Sequence, residues 1–211
     1  MPGYAFTDPV TSEAELREVL GMPGDIAVQK QIAALDKHAR LFVERSPFAL
    51  LSSSDAAGNC DVSPRGDGPG FVHILDDQTL LVPERPGNRR ADTLTNVLEN
   101  PHVGLLFLIP NVDETLRVNG SAQIVRDPEL LAPMAFRGKT PLLALAVELD
   151  EVFFHCPKAF RRSGLWKPAT WPDRSEIPTL GQILLDQVKL QNTTAEQLDC
   201  ELEDSYQKRL Y

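Results

Sequence analysis

Phe48-Ala49-Leu50-Leu51-Ser52-Ser53 is followed by Asp55-Ala56-Ala57-Gly58-Asn59 and then by Cys60-Asp61-Val62-Ser63. Within this stretch the sequence leaves a helical rhythm and takes up a strand–turn–strand one. A short apolar run, a turn-forming cluster and a second run predict a β-hairpin. The same pattern continues downstream. Phe71 to Leu75 and Thr79 to Val82 flank Asp76-Asp77, a second hairpin signal. Val103 to Ile109 is a continuous run of the buried type. Thr115 to Val125 alternates, with Leu116, Val118, Gly120, Ala122 and Ile124 on one face, and Leu142 to Phe154 supplies a further long strand. Seven short strands with turn signals between them predict a closed antiparallel sheet.

Helices flank this region. Ser12-Glu13-Ala14-Glu15 has the form of a capping box before Leu16, Val19 and Leu20, with Gly21 as the stop. Asp25 to Arg45 reads as two more helices, and Ser46-Pro47 punctuates the chain. Between the strands, Asn88 is a good N-cap for a helix with Ala91, Leu94, Val97 and Leu98 on one face, ended by Asn100-Pro101. Thr179 with Gln182 and Thr194 with Gln197 resemble capping boxes. The last helix carries a stripe of Leu198, Leu202, Tyr206 and Leu210, which needs cover from the body or from a second subunit. The expected organisation is one domain: a helical segment at 1–45, a barrel at 46–172 and a helical segment at 173–211. At 211 residues, 42% hydrophobic and 24% charged, the chain can bury such a core.

Several function classes are disfavoured. A net charge of −9 lacks the basic footprint of a nucleic-acid binder. No apolar run reaches bilayer length, and Met1-Pro2-Gly3-Tyr4 does not open a signal peptide. Cys60, Cys156 and Cys200 are odd in number and scattered, with no metal-ligand spacing. A reducing cytoplasm is the expected location. There is no GxGxxG and no GxxxxGK[ST], and His38, His73 and His102 suggest no triad. Arg85, Arg89 and Arg90 form one basic island, and Lys158, Arg161, Arg162 and Lys167 form another. Such islands are either local anion sites or solvated surface charge.

Three segments bear on chemistry. Pro83-Glu84-Arg85-Pro86-Gly87-Asn88-Arg89-Arg90-Ala91-Asp92 leaves a strand and opens a helix. Cations there oppose the helix dipole, and a phosphate between Arg89 and Arg90 would resolve the conflict. Pairing with Glu84 and Asp92 is the alternative. Ser63-Pro64-Arg65-Gly66-Asp67, bounded by glycines, is either a plain turn or a loop where Arg65 meets a ligand. His155-Cys156-Pro157-Lys158 through Trp166, with Trp171 nearby, combines cations with aromatic rings, which suits an anionic aromatic ligand. As a metal site the His-Cys pair lacks companions.

Taken with Asn100-Pro101 and Leu116-Arg117-Val118-Asn119-Gly120, these motifs in this order resemble the FMN-binding split-barrel superfamily of pyridoxamine 5′-phosphate oxidase. The resemblance runs from Ser46 to the Trp171 region. It implies a mainly β chain with flanking helices (α+β), built as an antiparallel split β-barrel. It also implies a homodimer with FMN at the interface. Its carry-over places the FMN phosphate at Arg89 and Arg90 with Asn88 beside them, and Ser63 and Arg65 near the ring. Lys158, Arg161, Ser163 and Trp166 would close over the partner's flavin. The vitamin B6 oxidases carry an Arg-x-His near the carboxyl end that helps hold substrate, and this chain has none. The function so implied is an FMN-dependent oxidoreductase acting on some other small substrate. The alternative is a non-catalytic flavin- or haem-binding protein on the same barrel.

Overall fold

The computed structural model describes residues 4–211, so Met1, Pro2 and Gly3 of the amino-terminal reading lie outside the described residues. Seven strands form one sheet: β1 (Phe48–Ser54), β2 (Cys60–Gly66), β3 (His73–Ile74), β4 (Thr79–Pro83), β5 (His102–Leu108), β6 (Thr115–Val125) and β7 (Ala144–His155). Their order is β2-β1-β5-β6-β7-β4-β3, and each neighbouring pair is antiparallel. The closure expected from the strand count is not made by hydrogen bonds. β2 and β3 remain the two ends, which is the split of a split barrel.

The core fills one side of this curved sheet. Leu51, Leu80, Leu105, Phe107, Leu116, Val118, Leu145 and Val147 are buried there. Two helices roof it: α3 (Lys37–Arg45) through Ala39 and Val43, and α4 (Asp92–Glu99) through Val97. The Asp36 carboxylate accepts from the amides of His38 and Ala39 and so fixes where α3 starts. Ser46, fully buried between α3 and β1, has its hydroxyl within donating distance of the Phe48 and Leu108 carbonyls (2.8 and 2.7 Å). A smaller cluster of Leu81, Leu131, Met134 and Ala144 packs on the other face of β4 and β7.

The alternation read over Thr115 to Val125 is β6 to the residue, with Leu116, Val118, Gly120 and Ala122 inward. The register between β6 and β7 slips between Asn119 and Gly120, where a bulge bends the sheet. β7 pairs with β4 over Ala144–Glu148. Beyond that point its free edge is taken by Gln78, which accepts from Leu149 N, and by Ile32, which bridges Val152.

The flanking helices differ in how they meet the body. α1 (Glu13–Leu20) starts at Ser12, whose side chain accepts from Glu15 N, and stops at Gly21 with φ 71°. Neither α1 nor α2 (Asp25–Gln29) has a buried residue, and Val19 and Ile26 are 74% and 82% exposed. α5 (Pro128–Leu131) contributes Leu131 to the smaller cluster. α6 (Lys158–Ser163) ends at Gly164, which is left-handed at φ 64°. α7 (Leu180–Val188) and α8 (Ala195–Arg209) pack as a hairpin, tied by Asp199 accepting from Gly181 N at 2.8 Å. Leu198 and Leu202 are half-buried, whereas Tyr206 and Leu210 stay exposed. Among the described residues no helix is long and apolar enough to cross a membrane, and no cysteines are paired.

The bulge gives a direct test of the fold. A Cβ at residue 120 would overlap the Glu148 carbonyl oxygen on the paired strand, a backbone atom that cannot move aside. Gly120→Ala should therefore destabilise the chain by about 3 kcal/mol, read from urea unfolding at unchanged m-value.

Candidate functional site

β2 pairs with β1 so that Asp61, Ser63 and Arg65 share one face, and α4 lies over that face. The contact is polar. Thr93 of α4 sits 3.2 Å from the Ser63 hydroxyl and donates to Asp61 Oδ2 at 3.3 Å. Asp61 also accepts from the Ser53 hydroxyl, and Ser53 in turn accepts from Asn96 of α4 at 3.0 Å. At the other end Arg65 Nε donates to Ser63 at 3.3 Å, and its guanidinium pairs with Glu84 beyond β4. A continuous chain of hydrogen bonds thus replaces an apolar seam between helix and sheet. Where it does not fill the space, a cleft of about 410 Å³ opens.

The cleft is lined by Ser63 and Arg65 of β2, by Glu84, Arg85, Asn88 and Arg90 of the loop after β4, and by the start of α4. Four of the residues read as site candidates therefore meet there. The helix begins later than expected. Asn88 is not its N-cap; the cap is Ala91, in the left-handed region (φ 59°) and with no side-chain acceptor. Asn88 Oδ1 instead accepts from Arg90 N at 3.0 Å and turns the loop. Arg89 is left-handed as well, at φ 61°. Two non-glycine residues in that region cost roughly 1–2 kcal/mol each. The first-turn amides of α4 thus open at the cleft mouth without a side-chain cap, a place suited to an anion. Leu98, read as part of the apolar face, points away and is exposed.

The charges in the cleft are balanced. Arg65 pairs with Glu84, Arg90 with Asp92 at 2.8 Å, and Arg85 with Asp67 at 2.8 Å. The pairing read as the alternative for Arg90 is thus present. Arg89 lies beside the lining residues and has no ion-pair partner among the described residues.

Lys158, Arg161, Ser163 and Trp166 lie elsewhere. β7 starts beside Pro83 of β4, near the cleft, and ends at His155, just before α6. Its 12 residues cover roughly 36 Å at about 3.3 Å per residue. At that far end Trp166 Nε1 donates to the Val112 carbonyl at 2.9 Å and stacks on Phe160. Arg161 pairs with Asp113 at 3.1 Å, and the Ser163 hydroxyl donates to the Phe160 carbonyl. Within one chain these four residues do not reach the cleft. The His155 ring meets Phe153 edge-on, and among the described residues no His, Cys, Asp and Glu group could hold a metal.

Sequence reading missed Asp61, Thr93 and Asp67 as parts of the site. Asp61 was accessible in principle, because it shares the period-2 face of Ser63 and Arg65. Asp67 and Thr93 are placed by loop and helix packing, which leave no local signal.

Compared with known families, residues 35–156 match the family model for pyridoxamine 5′-phosphate oxidase, over more than half of the chain. No curated protein matches the chain. Solved structures that it resembles include HupZ of Group A Streptococcus, at 15% identity and TM-score 0.47, over 57% of this chain and 93% of that one. An FMN-binding protein from Syntrophomonas wolfei matches at 14% identity and TM-score 0.44, over 68% and 96%. HutZ, the haem storage protein of Vibrio cholerae, matches at 18% identity and TM-score 0.42, over 57% and 93%.

One titration follows from the far end of β7. Burial first, then the Arg117 and Lys30 charges, hold the His155 imidazole below its ordinary value, with Glu151 opposing. The unfolded chain then binds this proton more readily than the folded one, so stability falls as pH drops below about 6.5. Unfolding midpoints measured between pH 8 and pH 5 should decline less steeply in His155→Gln than in the wild type.

Proposed function

The chain belongs to the pyridoxamine 5′-phosphate oxidase family, and on that premise we propose that it is a cytoplasmic flavoprotein holding FMN non-covalently. The observation that carries this reading is the meeting of Ser63, Arg65, Asn88 and Arg90 at the uncapped start of α4, with Arg89, which has no ion-pair partner among the described residues, beside them. The donor set fits a phosphomonoester. Backbone amides at the helix start and two adjacent guanidiniums supply donors in several directions. In this reading Arg89 answers the phosphate charge directly, while Arg90 exchanges Asp92 for the phosphate. The cost of that exchange is small, because the Arg90–Asp92 pair is exposed. Arg65 and Ser63, held by Glu84 and Thr93, line the wall next to the phosphate end and orient the ring.

Bound flavin supplies the redox chemistry, and the polypeptide contributes anchoring, orientation and charge around the ring. The activity proposed is an FMN-dependent oxidoreductase acting on a small substrate. A vitamin B6 phosphate is disfavoured as that substrate by the missing Arg-x-His. The proposal also includes a homodimer. Lys158, Arg161, Ser163 and Trp166 lie a strand's length from their own cleft, and from a second copy they would cover the flavin. Turnover with a nicotinamide or amine donor separates the enzyme from a flavin holder, and a Soret band in the purified protein would point to haem instead.

Two outcomes are expected. Replacing Arg89 and Arg90 together with Ala should weaken FMN far more than riboflavin, each lost charged hydrogen bond being worth roughly 1.5–3 kcal/mol. Calorimetric titration of both ligands reads the difference, and equal weakening would remove the pair from the phosphate site. Light scattering across a dilution series should show a dimer that FMN tightens, with a parallel rise in melting temperature. A monomer binding FMN at full strength would sink the shared site.

A further inference from the structure

Arg85 lines the cleft, yet its guanidinium is held from behind. Nε donates to Asp67 Oδ2 at 2.8 Å and Nη2 to the Met134 carbonyl at 3.0 Å. Nη1 has no partner among the described residues. The Asp67 side chain is 2% exposed, and its other oxygen accepts from Gly68 N and from the Tyr211 hydroxyl, each at 2.8 Å. Tyr211 follows α8, far along the chain from the cleft loops. It is seated by more than one contact. Its ring packs on Phe136 with centroids 4.7 Å apart, and the guanidiniums of Arg137 and Arg85 lie 5.5 and 5.9 Å from it. Its carbonyl accepts from Lys139 Nζ.

A buried carboxylate needs its donors, and removing one leaves a lone pair unanswered and loosens its grip on the others. Asp67 has two jobs in this arrangement. It neutralises Arg85, and it fixes the plane of the guanidinium so that the unpaired edge stays in place. Planar recognition of phosphate depends on that orientation.

We propose that Arg85 is a further anion-contacting residue of the cleft and that Tyr211, acting through Asp67, is its positioning residue. The segment after α8 thereby sets the affinity of the cleft for a phosphomonoester. The proposal rests on the reading that a phosphorylated ligand occupies the cleft. Tyr211→Phe removes one hydroxyl and keeps the ring on Phe136, so it perturbs the relay without emptying the seat.

The test is a double-mutant cycle by calorimetry, with FMN and riboflavin as probes. Arg85→Gln should weaken FMN at least tenfold and Tyr211→Phe three- to tenfold. The double variant should bind FMN no worse than Arg85→Gln alone, and riboflavin should stay within twofold throughout. In nitrogen-resolved NMR the Arg85 Nε proton should exchange with solvent faster in Tyr211→Phe, a change that a purely structural role would not confine to this group. Arg85→Lys replaces Arg85→Gln should the latter not fold, with the same loss expected, since an ammonium cannot hold both Asp67 and the ligand in one plane. Unchanged FMN affinity in the Arg85 variant, or additive losses in the cycle, would overturn the proposal while leaving the flavin reading intact. A wild-type chain that binds neither flavin ends the flavin reading, and the same cycle is then run with inorganic pyrophosphate by phosphorus NMR. The same order of losses keeps the relay; absence of pyrophosphate binding ends it.

Discussion

An edge strand offers one face to whatever packs on it, and β2 offers α4 a carboxylate, a hydroxyl and a guanidinium. That choice constrains much of the surrounding structure. A helix seated on Asp61, Ser63 and Arg65 cannot close down as it would on leucines, because each polar group must find a partner at hydrogen-bond distance. Thr93 and Asn96 are the partners α4 supplies, and they fix its height and rotation over the sheet. The apolar residues of α4 then anchor it to the core on the other side, through Val97. The cleft is the space left between a helix held by polar contacts and the loop that leads into it.

The same constraint explains the strained approach to α4. The chain must leave β4, pass Pro86-Gly87 and enter a helix whose position is already set, in very few residues. Arg89 and Ala91 absorb the mismatch by turning left-handed. Glycine would do this at lower cost, so side chains at these positions point to a use. For Arg89 the use is a charge at the mouth of the cleft with no carboxylate partner among the described residues. The other cations there have carboxylate partners, which keeps a cluster of arginines from repelling itself apart.

Periodicity revealed what depends on burial. β6 is legible because alternation over Thr115 to Val125 is the direct imprint of one buried face, and the helix ends at Gly21 and Gly164 are legible because a left-handed residue ends a helix locally. The Asn88 cap misled because Asn serves a turn as readily as a helix, and the choice depended on where β2 had already placed α4. The apolar residues of α1 and α2 promised packing that their own chain does not provide. Arg89 and Arg90 were legible through the mismatch between their charge and the helix dipole, and Arg65 through the glycines that bound its loop. Asp67 and Tyr211 were not, since their meeting spans 144 residues and each alone is an ordinary surface residue type.

The single bridge between Ile32 and Val152 has a consequence for how the molecule behaves in company. Past Glu148, β7 loses its β4 neighbour while keeping β6, so its outer edge would present a row of bare amides and carbonyls. Such an edge is a template on which another chain can add a strand. Ile32 and Gln78 occupy it, and neither belongs to the sheet proper. Resistance to aggregation is therefore lodged in segments that contribute little to the core. Damage to those segments would show itself first as sticking between molecules, with the barrel of each still folded.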